Sequence, residues 1–214
     1  MIEIQSFTFN PFMEQTYVLF DETKEAVIVD PGCHAQEEKD ILTQFISDHD
    51  LKPKYVINTH GHIDHVLGNA FIKQHYGIEL IIRDKDEDTL RSVIAYASAY
   101  GFQTYQAAEP DILLKDGDII SFGNSELYHV FVPGHAPGHI AFYDQTKKFI
   151  IGGDVLFEGS IGRTDLPGGD FDTLINSIHS EFFKFPDDTV VYPGHGNETT
   201  IGREKASNPF CAIG

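Results

Sequence analysis

The chain has no tryptophan, two cysteines and two methionines in 214 residues. Cys33 and Cys211 stand far apart, which is no disulfide framework, so two free thiols are expected. Long apolar runs are missing too. None approaches the ~20 residues that span a bilayer. Met1-Ile2-Glu3-Ile4-Gln5-Ser6 shows no basic segment followed by an apolar run, so no secretory signal is read and a cytoplasmic protein is expected. Positive charge is scarce: 15 Lys and Arg face 33 Asp and Glu, a formal net charge of −18. Such a surface repels phosphate backbones and anionic membranes, which argues against nucleic-acid and membrane partners. Carboxylates that hold divalent cations would be locally neutralised. There is no Gly-x-Ser-x-Gly, hence no serine nucleophile on a tight strand–helix turn. Linker-like and low-complexity stretches are also absent, and one domain over residues 1–214 is the expectation.

What is present is core material, 17 Phe and 9 Tyr, arranged in short apolar runs. Tyr17–Phe20 and Ala26–Val29 flank a polar turn and read as a hairpin. Ile41, Leu42, Phe45 and Ile46 fall at helical spacing, giving a helix over about Gln36–His49. Tyr55–Ile57 is a buried strand. Val66, Leu67, Ala70, Phe71 and Gln74 read as one helix stopped by Gly77. Glu79–Ile82 is a strand, and residues 84–109 read as one or two polar surface helices over the site. Gly123-Asn124 marks a hairpin between Ile119–Phe122 and Leu127–Val132. His139–Tyr143 and Phe149–Ile151 pair across residues 144–147. Phe171, Leu174, Ile175 and Ile178 give a helix reaching about Phe183, and Thr189–Tyr192 is the last strand. Strands with interspersed helices point to a layered α/β protein with two sheets.

The chemistry concentrates in His60-Gly61-His62-Ile63-Asp64-His65, directly after an apolar strand. In extended chain, residues two apart point the same way, and Gly61 leaves room for His60 and His62 to converge. Asp64 and His65 begin the next helix, where Asp suits the N-cap and the positive helix end. Four imidazole and carboxylate donors in six residues suit zinc, iron or manganese. Two metals need further donors, and three strand ends offer them. Phe131-Val132-Pro133-Gly134-His135 and Val190-Val191-Tyr192-Pro193-Gly194-His195 repeat one device, and Phe149-Ile150-Ile151-Gly152-Gly153-Asp154 is a third. In each, the strand is rigid and glycine lets the backbone turn. His139 reads as structural, and Cys33 as a small packed thiol. His34, His49, His75 and His179 read as surface or helix-end residues.

In that order, these residues resemble the signature of the metallo-β-lactamase superfamily. The resemblance extends to Asn10-Pro11-Phe12, Gln15-Thr16-Tyr17 and Val29-Asp30-Pro31-Gly32, so it covers nearly the whole chain. It implies an αββα sandwich, two mixed β-sheets flanked by helices. It further implies that His60, His62 and His135 hold one divalent metal, that Asp64, His65 and His195 hold a second, and that Asp154 bridges them. Zinc is the first expectation, with iron or manganese as alternatives. Two such ions hold a bridging hydroxide at neutral pH and polarise a carbonyl, with Asp64 placed to orient the hydroxide and take its proton.

Gly152–Phe157, Gly162-Arg163-Thr164-Asp165 and the final Gly202-Arg203-Glu204 and Asn208-Pro209-Phe210 are similar to short bacterial hydrolases related to glyoxalase II. That implies hydrolysis of a small-molecule thioester such as S-lactoylglutathione. Full-length glyoxalase II has a further helical domain with glutathione-binding residues, whereas 19 residues follow His195 here, so another thioester is an alternative. Arg163 is the candidate substrate contact, gripping a carboxylate bidentately; an ion pair with Asp165 or Asp170 is the competing reading. The alternative activity is a persulfide dioxygenase with one iron on His60, His135 and Asp154. A phosphodiesterase is disfavoured by the charge, and a β-lactamase by the missing secretory signal and by His65.

Overall fold

The computed structural model describes residues 1–146 and 148–213. It contains two mixed six-stranded sheets, a small third ribbon and six α-helices among the described residues. The first sheet runs in sequence order: β1 (Glu3–Phe9), β2 (Glu14–Phe20), β3 (Glu25–Val29), β4 (Lys52–Ile57), β5 (Glu79–Arg83) and β6 (Ile112–Leu114). β1–β2 and β2–β3 are antiparallel hairpins, with Tyr17 opposite Val29 as the apolar runs require. From β3 onward the strands are parallel, and three helices serve the crossovers: α1 (Gln36–Asp48), α3 (Asn69–Tyr76) and α4 (Glu87–Tyr96). β3 and the end of β4 are continuous hydrophobic runs with no solvent face, as parallel strands covered on both sides demand.

The second sheet has the order β14 (Thr199–Thr200), β13 (Val190–Pro193), β10 (Phe149–Gly153), β9 (Ile140–Tyr143), β8 (Ser125–Phe131) and β7 (Ile120–Phe122). β10 and β13 are parallel neighbours, so the ends that carry Asp154 and His195 lie side by side. β11 (Leu156–Phe157) and β12 (Ser160–Ile161) form the ribbon. α5 (Phe171–Ser180) is capped by Asp170, whose side chain accepts from the Thr173 N–H. α6 (Ile201–Ser207) closes the chain.

The chain divides into two compact units, one of residues 1–114 and 121–125, the other of 115–120 and the chain from Glu126 onward. Each has its own core. In the first, Val18, Ile28, Val56, Leu80 and Ile82 pack with Leu42, Ile46, Val66 and Leu90. In the second, Val132, Ile150 and Val191 pack with Leu174, Ile178 and Phe182.

Three expectations are corrected. The helix after the His run is two pieces, α2 (Ile63–Val66) and α3. Gly68 breaks it because the Gly68 N–H donates to the Pro31 carbonyl at 2.7 Å and a Cβ there would sit 2.6 Å from Cys33 Sγ. His62, not Asp64, occupies the N-cap of α2; Asp64 lies in the first turn, where the helix dipole still favours it. The helix expected to reach Phe183 ends at Ser180 and continues as a separate 3₁₀ turn over Phe182–Lys184. The turn expected over residues 144–147 includes Lys147, outside the described residues.

Candidate metal centre

In the first unit, β4 delivers Asn58-Thr59-His60 into a loop whose side chains are buried. Asp30, at the end of β3, organises them. Its Oδ1 accepts from the Thr59 N–H at 2.7 Å, and its Oδ2 accepts from Thr59 Oγ1 at 2.6 Å. The same Oδ2 lies 3.1 Å from His65 Nδ1. Thr59 Oγ1 is 3.0 Å from His60 Nδ1. The Nδ1 edges of His60 and His65 are thus held, and His65 Nε2 lies 3.8 Å from an Asp64 carboxylate oxygen. The His60 ring is 4.7 Å from that of His62 and 4.2 Å from that of His65, centre to centre. Orienting an imidazole by a hydrogen bond at its far nitrogen is how metal-binding histidines are held.

The run needs Gly61 for a further reason. Its N–H donates to Asp86, and a Cβ would fall 2.5 Å from the Leu90 backbone nitrogen on α4. Behind the run, Asn10 Nδ2 donates to the Asp64 carbonyl at 3.0 Å and to the Gly32 carbonyl at 3.1 Å. Glu14 lies fully buried on the same side, its Oε1 3.9 Å from His65 Nδ1. Burial pushes its carboxyl well above the ordinary carboxylate range, while nearby His65 works in the other direction.

In the second unit, three loops meet at Asp154. His135 Nε2 and His195 Nε2 are each 3.5 Å from the same carboxylate oxygen, Asp154 Oδ2. His135 Nδ1 is held at 2.8 Å by the Arg163 carbonyl. The Asp154 N–H donates to His139 Nε2 at 3.0 Å, so the buried His139 positions the Asp154 backbone, consistent with its structural reading. The Gly194 N–H donates to the Gly153 carbonyl at 2.8 Å, tying the loop of His195 to that of Asp154. Gly162 is the tightest point. A Cβ there would lie 2.0 Å from the Asp154 carbonyl oxygen and 3.2 Å from His135 Nδ1. Gly162→Ala is therefore expected to cost about 2–3 kcal/mol, as overpacking against backbone does. Its melting temperature should fall by several degrees and its bound metal should drop, read by calorimetry and elemental analysis.

Arg163 makes the ion pair that competed with its substrate role. Its Nε and Nη2 donate to the two oxygens of Asp165 at 2.7 and 2.8 Å. The guanidinium pulls the Asp165 carboxyl down to about 2. Cys33 is fully buried, and burial raises its thiol to about 12, as expected of a packed thiol. Both cysteines are free.

Sequence reasoning assigned no role to Asp30, Glu14, Asn10 or Asp86. Asp30 had a faint signal, an Asp-Pro-Gly ending an apolar strand as Gly-Gly-Asp154 does. It adopts φ 47°, a left-handed conformation that Asp tolerates better than most residues.

Each half by itself suits a divalent cation. In the first, ligand-type atoms of Asp30, His60 and His65 lie within 4.8 Å of one another, all buried, with Asp30 backing the imidazoles and the Nε2 of His65 turned toward Asp64. In the second, two imidazole nitrogens face one carboxylate oxygen, a cluster that calls for a shared cation or proton. Imidazole–carboxylate clusters at the strand ends of two mixed sheets flanked by helices define a metal-binding α/β protein. A family model described as the metallo-beta-lactamase superfamily matches residues 10–195. The chain belongs to that superfamily, and it has the fold expected from its sequence.

The hydroxyacylglutathione hydrolase GloC of Haemophilus influenzae is 40 % identical over 201 residues, 93 % of each chain. The human mitochondrial persulfide dioxygenase ETHE1 is 31 % identical over 203 residues, covering 92 % of this chain and 71 % of that one. The crystal structure of BLEG-1, described as a B3 metallo-beta-lactamase, superposes with a TM-score of 0.89 at 33 % identity, covering 99 % of this chain and 100 % of that one. Among the described residues no helix is long and apolar enough to cross a membrane.

Proposed function

We propose that the chain is a cytoplasmic metal-dependent hydrolase that cleaves a small-molecule thioester, S-lactoylglutathione or a relative of it, its two units acting as one catalytic domain. The observation that carries this reading is the pair of half-sites, with His60 and His65 in one and His135 in the other oriented from behind. His60, His62 and His135 would hold one divalent ion, Asp64, His65 and His195 a second, and Asp154 both. Zinc is the first choice for both, with iron or manganese as alternatives. When bound, the two ions supply a hydroxide at neutral pH and polarise the substrate carbonyl.

The chain's own groups do the rest. Asp64 is partly exposed and its backbone is anchored by Asn10, so its carboxylate can take the proton from the attacking water. Asp30, Thr59 and the Arg163 carbonyl fix the imidazoles before substrate arrives. A thiolate leaves readily, so no acid is needed for the second step. Arg163 would grip a substrate carboxylate by exchanging Asp165 for it. Similarity to GloC over nearly the whole of both chains supports the hydrolase over other reactions of the fold.

The test is metal content by elemental analysis, paired with a panel of S-lactoylglutathione, a small acetyl thioester, glutathione persulfide and a chromogenic cephalosporin. Two metals per chain and thioester hydrolysis are the expected outcome. One iron per chain, with oxygen consumed on adding the persulfide, would replace the hydrolase by a dioxygenase.

A further inference from the structure

The first unit carries an aromatic shelf beside the run of His60 to His65. Phe12 sits at its centre, 6.2 Å from the ring of Tyr100 and 6.0 Å from that of Phe102. Tyr100 in turn meets Tyr96 at 5.7 Å, and His34 packs edge-on against Phe102 at 4.9 Å. Large apolar groups here face solvent: Phe12 is 39 % exposed, Tyr100 54 % and Met13 63 %. A contiguous exposed aromatic patch marks a binding surface more often than a bare one.

Two connections tie the shelf to Asp64. Asn10 donates to the Asp64 carbonyl and, through Oδ1, accepts from the Phe12 N–H at 3.0 Å. The same turn is pinned from its other side, where Glu38 accepts from the Asn10 N–H at 2.6 Å. The second connection is α4, which packs against α2, the turn that bears Asp64, and ends at Tyr96.

We propose that the shelf receives an apolar arm of the thioester substrate, so that an added alkyl or aryl group on the substrate tightens its binding. The inference rests on the thioester-hydrolase reading and names its substrate class. The shelf abuts a proposed ligand and offers exposed ring faces, which is what the apolar arm of a substrate matches.

The test uses the metal-loaded full chain and non-hydrolysable S-alkyl thioethers of N-acetylcysteamine, methyl to hexyl, measured by isothermal titration calorimetry. Affinity should rise about twofold per methylene, roughly half what full burial of a methylene gives. Phe12→Ser and Tyr100→Ser should each flatten that slope with an unchanged circular dichroism spectrum. Ile41→Ser, at an exposed position on α1, should keep it. A flat series in the unaltered protein overturns the proposal, as does a slope that survives both shelf variants. A change of sedimentation coefficient in Phe12→Ser would assign the shelf to contact between copies of the chain instead. Thioether binding does not depend on turnover, so a protein that hydrolyses no thioester refutes the functional reading while the slope still judges the shelf.

Discussion

Asp64→Ala should lower turnover of S-lactoylglutathione by roughly 10²- to 10⁴-fold, the range lost when a positioned base is removed, while the protein stays folded. The two halves of this expectation have separate causes. The carboxylate of Asp64 faces the partly open side of its loop, but its backbone carbonyl is what Asn10 grips. Alanine keeps that carbonyl, and so keeps the Asn10 hydrogen bond. What is lost to stability is the favourable charge in the first turn of α2, worth about 0.3–1 kcal/mol. At roughly 2–4 °C per kcal/mol for a chain of this size, the melting temperature should move by only a few degrees. Stopped thioester assays with metal-to-protein ratios and a thermal melt decide it. Unimpaired hydrolysis would sink the two-metal mechanism.

Asp30→Ala is expected to do the opposite, damaging the fold as well as the site. The carboxylate is buried and accepts from the Thr59 N–H and hydroxyl, with His65 Nδ1 at 3.1 Å and Asn58 Nδ2 at 3.3 Å. Removing it strands those donors in the interior and puts alanine at φ 47°. The expected cost is about 3–5 kcal/mol, a melting temperature lower by roughly 10 °C or more. Metal affinity should fall 10- to 100-fold, the usual loss when a ligand's supporting partner goes. Asp30→Asn keeps the shape and tolerates the backbone angle, so it should keep most of the stability and still bind metal less tightly. The measurements are differential scanning calorimetry and competition with a metal chelator. An alanine variant that melts within 2 °C of the parent and holds its metal would remove Asp30 from the support of the site.

Most of the fold was legible because its strands are short, apolar and bounded by turn residues. The hairpin of β2 and β3 and the helix α1 lie where alternation and 3.6-residue spacing put them. Local pattern misplaced the break at Gly68, since the cause is Pro31 and Cys33, more than thirty residues earlier in the chain. The candidate site divides in the same way. His60, His62, Asp64, His65, His135, Asp154 and His195 are side chains with chemistry of their own, presented by glycine-rich strand ends that local sequence displays. Asp30, Asp86 and Asn10 reach the site through partners distant in sequence: Asp30 on Thr59 and His65, Asp86 on Gly61, Asn10 on Asp64. Nothing within ten residues of Asp30 says that an imidazole will lean on it. The ion pair of Arg163 with Asp165, two residues away, was readable as one of two outcomes for the opposite reason.

The division into two units has a consequence for the order in which the molecule is made. The whole first sheet, and the network of Asp30, Thr59, His60 and His65, uses no residue beyond Ser125. His195, the last proposed ligand, is translated 70 residues later, a delay of roughly 4–14 s at bacterial and eukaryotic elongation rates. A first unit that folded in that interval would present His60, His62 and His65 on a finished scaffold before the other proposed ligands are made. Metal captured then by the emerging polypeptide would give biosynthesis a say in which ion the proposed site receives.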